Sequence, residues 1–171
     1  MARPRGLLKW SLDVILNDMK FRNLLCAAAG LALMSGALSN AQELGFWRAS
    51  SSSAVSTTGD IGISEVKIAI DFNNFDIVRA SNLEPAQVGS VFDVDINTSG
   101  KGHLYKVNIP GSKKFLHKNT LCEGEDTQWM AAYAEGRTLH LAFFSGQKIP
   151  VFTLDAISNS SSLCGTFTYT R

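Results

Sequence analysis

Residues 121–146 read LCEGEDTQWMAAYAEGRTLHLAFFSG and predict a long β-hairpin. Side chains alternate across a strand, so each arm has one apolar face. The two apolar sets are Trp129, Ala131 and Tyr133 on the first arm, and Leu139, Leu141 and Phe143 on the second. A three-residue turn at 134–136, with Gly136 left-handed, brings both sets to one side, whereas a two-residue turn at 135–136 separates them. We expect the three-residue turn, with His140 on the opposite face near solvent.

Residues 1–41 have the pattern of a secretory signal peptide. Lys20 and Arg22 precede an apolar run at 24–38, and small residues lead up to Ala41. The run is shorter than the about 20 apolar residues that span a membrane. We expect cleavage near Ala41, a periplasmic or secreted location in a bacterium and no stable membrane span afterwards; the alternative is an uncleaved anchor. Met19 begins a well-proportioned signal peptide by itself, so residues 1–18 are expected to be an upstream extension.

Residues 42–171 are expected to form a single β-domain. The whole chain has 171 residues and a formal net charge of +1, which argues against a nucleic-acid binder with a basic stripe. This segment retains Cys122 and Cys164. An exported chain with two cysteines is expected to pair them, which would join the mouth of the hairpin to the last strand; two buried free thiols are the alternative.

Short alternating segments follow one another along the domain, with turn residues at intervals of about 8–12 positions. Further candidate strands lie at 59–64, 66–72, 75–79, 91–96, 103–109, 149–152 and 163–171. Asn73-Asn74 is the expected turn of one hairpin, and Pro85 begins a short helix with Asn82 as its cap. The pattern predicts an all-β fold in which an antiparallel meander closes into a small barrel of about eight strands, with a β-sandwich as the alternative, preceded by the signal-peptide helix.

Two charged groups are candidate binding residues. Glu123, Glu125 and Asp126 lie beside Cys122 and would meet a basic partner surface. Lys113 and Lys114 begin a basic loop that would meet phosphate or an acidic protein. The alternative, which is the more common case for such groups, is a solvated loop that keeps the surface soluble.

Catalytic and metal signatures are missing from the sequence. There is no nucleophile elbow, phosphate loop or dinucleotide fingerprint. Asp93, Asp95 and Asn97 have the spacing of a calcium loop, but Leu104 stands where that loop needs a glutamate. The three histidines have no ligand spacing. We therefore expect a non-enzymatic protein without a metal or cofactor.

Four segments of the chain resemble a family of small exported bacterial proteins of uncharacterised function. They are FWRASSS at 46–52, KKFLHKNTLC at 113–122, DTQWMAAYAEGRTLHLAFFSG at 126–146 and SLCGTFTY at 162–169. The resemblance implies an envelope or secreted location but no activity. In general outline the small disulfide-bearing barrel is also similar to periplasmic lysozyme inhibitors, at the level of the fold alone.

The leading functional hypothesis is a protein-binding or inhibitor-type module whose partner is another envelope or extracellular protein. The loops at 97–102, 113–120 and 123–126 would make the contact. The alternative is a small-molecule or lipid carrier that uses the barrel interior. Its pocket would be lined by Tyr105, Trp129, Tyr133, Phe143 and Phe167, although barrels of this size are often filled by such side chains. A hydrolase acting on cell-wall material is a third hypothesis.

Overall fold

The structure is a computed structural model that describes residues 42–95, 97 and 102–171. Eight antiparallel strands pair in sequence order and close into a barrel. The strands are β1 Gly45–Ala49, β2 Ile61–Ile63, β3 Lys67–Ile70, β4 Asn73–Leu83, β5 Gly102–Ile109, β6 Thr127–Glu135, β7 Thr138–Ser145 and β8 Leu163–Thr170. The predicted all-β meander and its closure are confirmed, and the sandwich alternative is wrong. The predicted signal peptide and the Met19 start lie outside the described residues.

Within the described residues, four short helical segments connect the strands. They are a π-helical turn at Ala54–Thr58, helix α1 at Pro85–Phe92, a 3-10 turn at Leu116–Lys118 and helix α2 at Leu154–Ser158. Helix α1 begins at Pro85 as predicted, but its cap is Glu84, whose backbone N–H donates to Gln87 Oε1 at 2.9 Å. Among the described residues, no helix combines the length and apolarity needed to cross a membrane.

The predicted strand at 91–96 is wrong over its described part. Val91 and Phe92 form the last turn of α1, which ends where Asp93 adopts a left-handed conformation with φ 53°. The residues that follow, up to Asp95, have no regular structure, and Ile96 is not described. The predicted strand at 149–152 is also irregular in the structure.

The barrel interior is one apolar cluster to which every strand contributes. Its side chains include Trp47, Ile61, Ile68, Ile77, Val107, Met130, Leu141 and Tyr169. A second cluster lies on the outside of the wall, beneath α1 and the segment around Phe152. Its members are Leu83, Val88, Val91, Leu104, Trp129, Ala131, Tyr133, Ala142, Phe144 and Phe152. The wall formed by β6 and β7 is therefore buried on both faces.

The register of the β6–β7 hairpin differs from the prediction. The turn has two residues, Gly136 and Arg137, because Glu135 pairs with Thr138. This register places Met130 opposite Phe143, inside the barrel, and Tyr133 opposite His140, outside it. The expected single face of six apolar residues is wrong. The aromatics of β6 contribute to the outer cluster, while Leu139, Leu141 and Phe143 contribute to the interior.

The hairpin between β3 and β4 turns earlier than predicted. Its two turn residues are Asp71 and Phe72, with φ values of 47° and 62°, and Ile70 pairs with Asn73. The expected turn at Asn73-Asn74 is wrong. The inward faces still coincide, since Ile68 pairs with Phe75. The shift moves Phe72 from the expected apolar face to the exposed tip.

A disulfide joins Cys122, in the loop before β6, to Cys164 on β8. The two Cα atoms lie 4.7 Å apart. The predicted bridge between the mouth of the hairpin and the last strand is confirmed. A disulfide fits an oxidising compartment such as the periplasm or the extracellular space.

Candidate functional site

A groove with a volume of about 600 Å³ lies on the outside of the barrel over β1, β2 and β3. The small residues Gly62 and Ala69 lie in the groove, and Phe46, Phe72 and Leu116 also line it. Gly62 pairs with both Phe46 on β1 and Ala69 on β3, so the groove crosses three neighbouring strands. We call this surface the β1–β3 groove.

Phe46 stays close to the sheet even though its side chain is 88% exposed. A Cβ atom placed at Gly62 would lie 3.3 Å from Cε1 of Phe46, so the ring packs over this glycine. Any larger residue at position 62 would push the ring away. The missing side chain of Gly62 is therefore what gives the groove its depth and fixes one of its apolar walls.

Phe72 is fully exposed at the tip of the β3–β4 hairpin, with a relative accessibility of 101%. Its φ of 62° lies in the left-handed region, which a bulky side chain rarely adopts. The tip is held by Asn73, whose Nδ2 donates to the carbonyl of Asp71 at 2.6 Å. Lys113 Nζ in turn donates to Asn73 Oδ1, also at 2.6 Å. Phe72 thus lies on a turn that these two hydrogen bonds hold in place.

Charges of both signs line the groove. Arg48 and Arg171 lie at the seam where β1 meets β8, because Arg48 pairs with Thr170. Asp60 precedes β2 and Asp71 follows β3. Asp60 is fixed, since its Oδ1 accepts the backbone N–H of Ala49 at 3.0 Å. The apolar centre of the groove is therefore bordered by charges of both signs.

The charged loop residues predicted from the sequence are spread over the surface. Lys113 supports the Phe72 tip, and Lys114 is exposed in the same loop. Asp126 Oδ1 accepts the N–H of Gly111 at 2.8 Å. Glu123 and Glu125 are exposed, and within the described residues no ion pair joins these carboxylates to the lysines. Residues 98–101 of the first predicted contact loop lie outside the described part.

Only part of the predicted carrier pocket lies inside the barrel. Tyr105, Phe143 and Phe167 are interior, and the rings of Phe143 and Phe167 meet edge to face at 5.4 Å. Trp129 and Tyr133 belong to the outer cluster, so their assignment to an interior pocket is wrong. The cause is the two-residue turn, which sends the odd-numbered residues of β6 outward.

A buried polar cluster, not predicted from the sequence, lies against the start of β5. Glu43, His103 and Tyr105 are all nearly inaccessible to solvent. Oε1 of Glu43 lies 2.8 Å from Nδ1 of His103, and Oε2 accepts the Tyr105 hydroxyl at 2.8 Å. Each carboxylate oxygen thus has one partner. We call this group the carboxylate cluster.

Residues 42–44, which precede β1 and carry Glu43, are held as a strap. The indole N–H of Trp47 donates to the carbonyl of Glu43 at 2.9 Å. Arg171 donates from Nη1 to the carbonyl of Leu44 and from Nη2 to that of Gln42, each at 3.1 Å. The same guanidinium lies 4.3 Å from the centre of the Trp47 ring. All three hydrogen bonds go to the backbone of the strap.

The hydroxyl of Tyr105 stays protonated and can therefore donate its hydrogen bond to Glu43. Burial, and next the negative charge of Glu43, raise the pKa of the Tyr105 hydroxyl far above its usual value of 10.0. Arg79 acts in the opposite direction on this pKa through its positive charge. The phenol therefore keeps its proton at any physiological pH.

Within the carboxylate cluster, the inward position of His103 could be predicted from the sequence, whereas the role of Glu43 could not. His103 has the same strand parity as Tyr105, Val107 and Ile109, which predicts that it faces the interior. Glu43 gave no such signal, because a lone acidic residue just after the predicted cleavage site is ordinary at the start of a mature chain. Its partners lie 60 and 62 residues further along the chain.

The described residues contain no group of three or more histidine, cysteine, aspartate or glutamate side chains placed to hold a metal ion. The β1–β3 groove is an accessible surface suited to binding, whereas the carboxylate cluster is closed to solvent. Comparison of the chain with protein-family models, curated proteins and solved structures finds no match.

Proposed function

We propose that this chain is an exported, non-enzymatic protein-binding module of the bacterial envelope, and that it holds its partner protein in the β1–β3 groove. The observation that carries the proposal is the pair of phenylalanines at the groove, Phe46 and Phe72, exposed at 88% and 101%. Large apolar side chains clustered in a concave surface mark interaction sites, and buried aromatics supply much of the energy of interfaces.

The rigidity of the Phe72 tip supports this role. A phenylalanine with φ of 62° has an unfavourable backbone conformation, yet the hairpin keeps it there through Asn73 and Lys113. Strained residues of this kind occur where display of the side chain serves a function. A turn whose backbone is held before binding loses less conformational entropy in the complex, which favours affinity.

The charges indicate the chemistry of the partner. A complementary surface has an apolar side chain for the centre of the groove, a carboxylate facing Arg48 and Arg171, and a cation facing Asp60 and Asp71. Pairing of these charges with the partner would favour one orientation of the partner. The exposed acidic residues Glu123 and Glu125 stay secondary candidates for contact with the partner.

Packing of the barrel interior favours a binding module over a lipid carrier. Trp47, Phe143 and Tyr169 are at most 1% exposed and fill the interior together with the isoleucines of β2 and β3. A lipid chain would have to displace these side chains. The disulfide and the signal-peptide pattern favour the envelope or the extracellular space as the compartment.

The test is site-specific photo-crosslinking followed by affinity measurement. A photoreactive phenylalanine analogue is placed at position 46, 72 or 78 in protein exported by its own host. Val78 on β4 is the matched control, because it is 66% exposed but outside the groove. We expect one partner protein to crosslink from positions 46 and 72 and not from 78.

The partner is then purified and its Kd is measured by calorimetry. We expect Phe72→Ala to weaken binding about tenfold or more, as for an interface hot spot, and Val78→Ala to leave Kd unchanged. Equal crosslinking from all three positions, or an unchanged Kd for Phe72→Ala, would refute the proposed surface.

A further inference from the structure

The carboxylate cluster has two parts of different origin. His103 and Tyr105 are neighbours on one face of β5, and the rest of the sheet fixes their positions. Glu43 comes from the strap, which lies before β1 and pairs with no strand. The donors are thus part of the barrel, whereas the carboxylate is brought to them by a separate segment.

The two donors form a receptor for a carboxylate. They meet different oxygens of the same group, each at 2.8 Å. Hydrogen bonds to an ionised acceptor are stronger than those between neutral groups. The positive charge of Arg79 also acts on the Tyr105 hydroxyl and favours an anion beside it.

The strap can leave without breaking a strand pair. Its three hydrogen bonds to Trp47 and Arg171 use backbone carbonyls alone. It joins β1 at Gly45, whose φ of 118° is rare for any residue with a side chain. Glycine at this position therefore accommodates the bend between the strap and the strand.

We propose that His103 and Tyr105 form a binding site for a small carboxylic acid, and that Glu43 occupies this site as a built-in competitor. A ligand such as acetate or propionate presents the same group as the end of the Glu43 side chain. Release of the strap opens the site, and its return closes it. The site is distinct from the β1–β3 groove, but Arg171, which holds the strap, also lines that groove.

Because Glu43 of the strap competes for the site, the intact protein is expected to have a low affinity for an external carboxylic acid. A carboxylate tethered a few residues away has an effective concentration in roughly the millimolar range. An external acid must exceed that concentration to replace it. Removing the Glu43 carboxylate, or loosening the strap, is therefore expected to strengthen binding of the external ligand.

The first test titrates sodium acetate into the Glu43→Ala variant and follows the imidazole signals of His103 by NMR, with sodium chloride at equal ionic strength as the reference. We expect a saturable acetate-dependent shift at concentrations about tenfold or more below those needed for the parent protein. Glu65→Ala, which removes an exposed carboxylate from the turn between β2 and β3, is the matched control and should behave as the parent protein. A folded Glu43→Ala variant whose His103 signals do not respond to acetate would overturn the proposal.

The second test leaves all three members of the cluster in place. Arg171→Gln removes the two hydrogen bonds from the guanidinium to the strap, while Arg48→Gln removes an equal charge from the same seam without touching the strap. We expect acetate to bind Arg171→Gln several-fold to about tenfold more tightly than the parent protein, and Arg48→Gln to match the parent. Equal acetate affinities in both variants would show that the strap does not regulate the site, and would refute the proposal even if Glu43→Ala fails to fold.

Discussion

The hydroxyl of Thr58 lies 2.8 Å from the hydroxyl of Tyr169, a residue 111 positions further along the chain. Thr58 Oγ1 also donates to the carbonyl of Ala54 at 3.1 Å, within the π-helical turn. Both side chains are completely buried. The pair therefore ties the connection between β1 and β2 to the interior face of β8 and satisfies a phenol that would otherwise lack a partner.

Buried tyrosines make the fold sensitive to alkali. Burial raises the pKa of Tyr169, and burial followed by the charge of Glu43 raises the pKa of Tyr105, both far above the usual 10.0. The unfolded chain releases these protons near pH 10 and the folded chain keeps them. The stabilisation that these protonated tyrosines provide is therefore fully present below that pH. Above it the free energy of unfolding falls, by up to about 1.4 kcal/mol per pH unit for a fully buried tyrosine.

Denaturant unfolding at several alkaline pH values, with tyrosinate absorbance as a second probe, measures this loss. Tyr169→Phe should be less stable than the parent near neutral pH and lose less stability above pH 10. Ionisation of all three tyrosines in the native state near pH 10 would contradict the expectation.

His140 makes the outer cluster sensitive to acid. Its ring stacks on Tyr133 with centroids 6.0 Å apart and lies 5.8 Å from the ring of Phe92 at the end of α1. Burial lowers the pKa of His140 below 6.5, and the charge of Glu135 opposes this effect. The neutral ring is favoured in the fold, so its contribution is present above about pH 6.5 and is lost as the pH falls below that value.

An NMR titration of the His140 ring checks the direction of this shift. Glu135→Gln removes the opposing charge and should lower the pKa of His140 further. His140→Phe keeps the stacking and should reduce the loss of stability between neutral and acidic pH. A rise in the pKa of His140 in the Glu135→Gln variant would show that the charge of Glu135 does not act on this ring as expected.

The disulfide constrains the unfolded chain. Cys122 and Cys164 are separated by 42 positions, and on the chain-entropy model a loop of this size contributes roughly 4 kcal/mol. The double variant Cys122→Ala, Cys164→Ala should lose about this free energy of unfolding, measured with denaturant. Reduction of the parent protein should give a similar loss. A loss below about 1 kcal/mol would indicate that the unfolded state is already compact.

Phe72 is expected to lower the stability of the fold through its backbone conformation and to contribute to binding through its exposed ring. Phe72→Gly relieves the left-handed conformation and is expected to raise the free energy of unfolding by about 1 kcal/mol, while it removes the exposed ring from the groove. Phe72→Ala removes the same ring but keeps a side chain at this φ, so its stability should stay near that of the parent. Both variants should lose affinity for the partner. Stabilisation by glycine with full retention of binding would show that the ring has no role in recognition.

The fold class was predictable because the strands are short, alternate in polarity and are separated by turn residues. Closure and the Cys122–Cys164 bridge followed from consecutive hairpins and from the number of cysteines. The register of β6 and β7 was not predictable from polarity. Both faces of this hairpin are apolar, since α1 and the segment around Phe152 cover the outer one, and so alternation could not distinguish inside from outside.

The candidate surfaces were less predictable than the fold. Phe72 continues the alternation of Ile68 and Ile70, so its pattern indicates burial, whereas the left-handed turn at Asp71 and Phe72 places it in solvent. The carboxylate cluster depends on a contact between Glu43 and β5 that arises only when the barrel closes. Sequence spacing contains no information about a contact of that range.

Hydroxyl groups add to the backbone pairing that closes the barrel. Strands β1 and β8 share the residue pairs Arg48–Thr170 and Ala49–Tyr169. Beyond them, Ser50 Oγ donates to the carbonyl of Thr168 at 2.9 Å and Ser53 Oγ donates to that of Thr166 at 2.8 Å. Exposed side-chain bonds of this kind exchange readily with water, so amide hydrogen exchange should begin at this seam and reach the doubly covered β6–β7 wall last. We therefore expect the serine run after β1, which helps to join β1 to β8, to be the first part of the barrel to open.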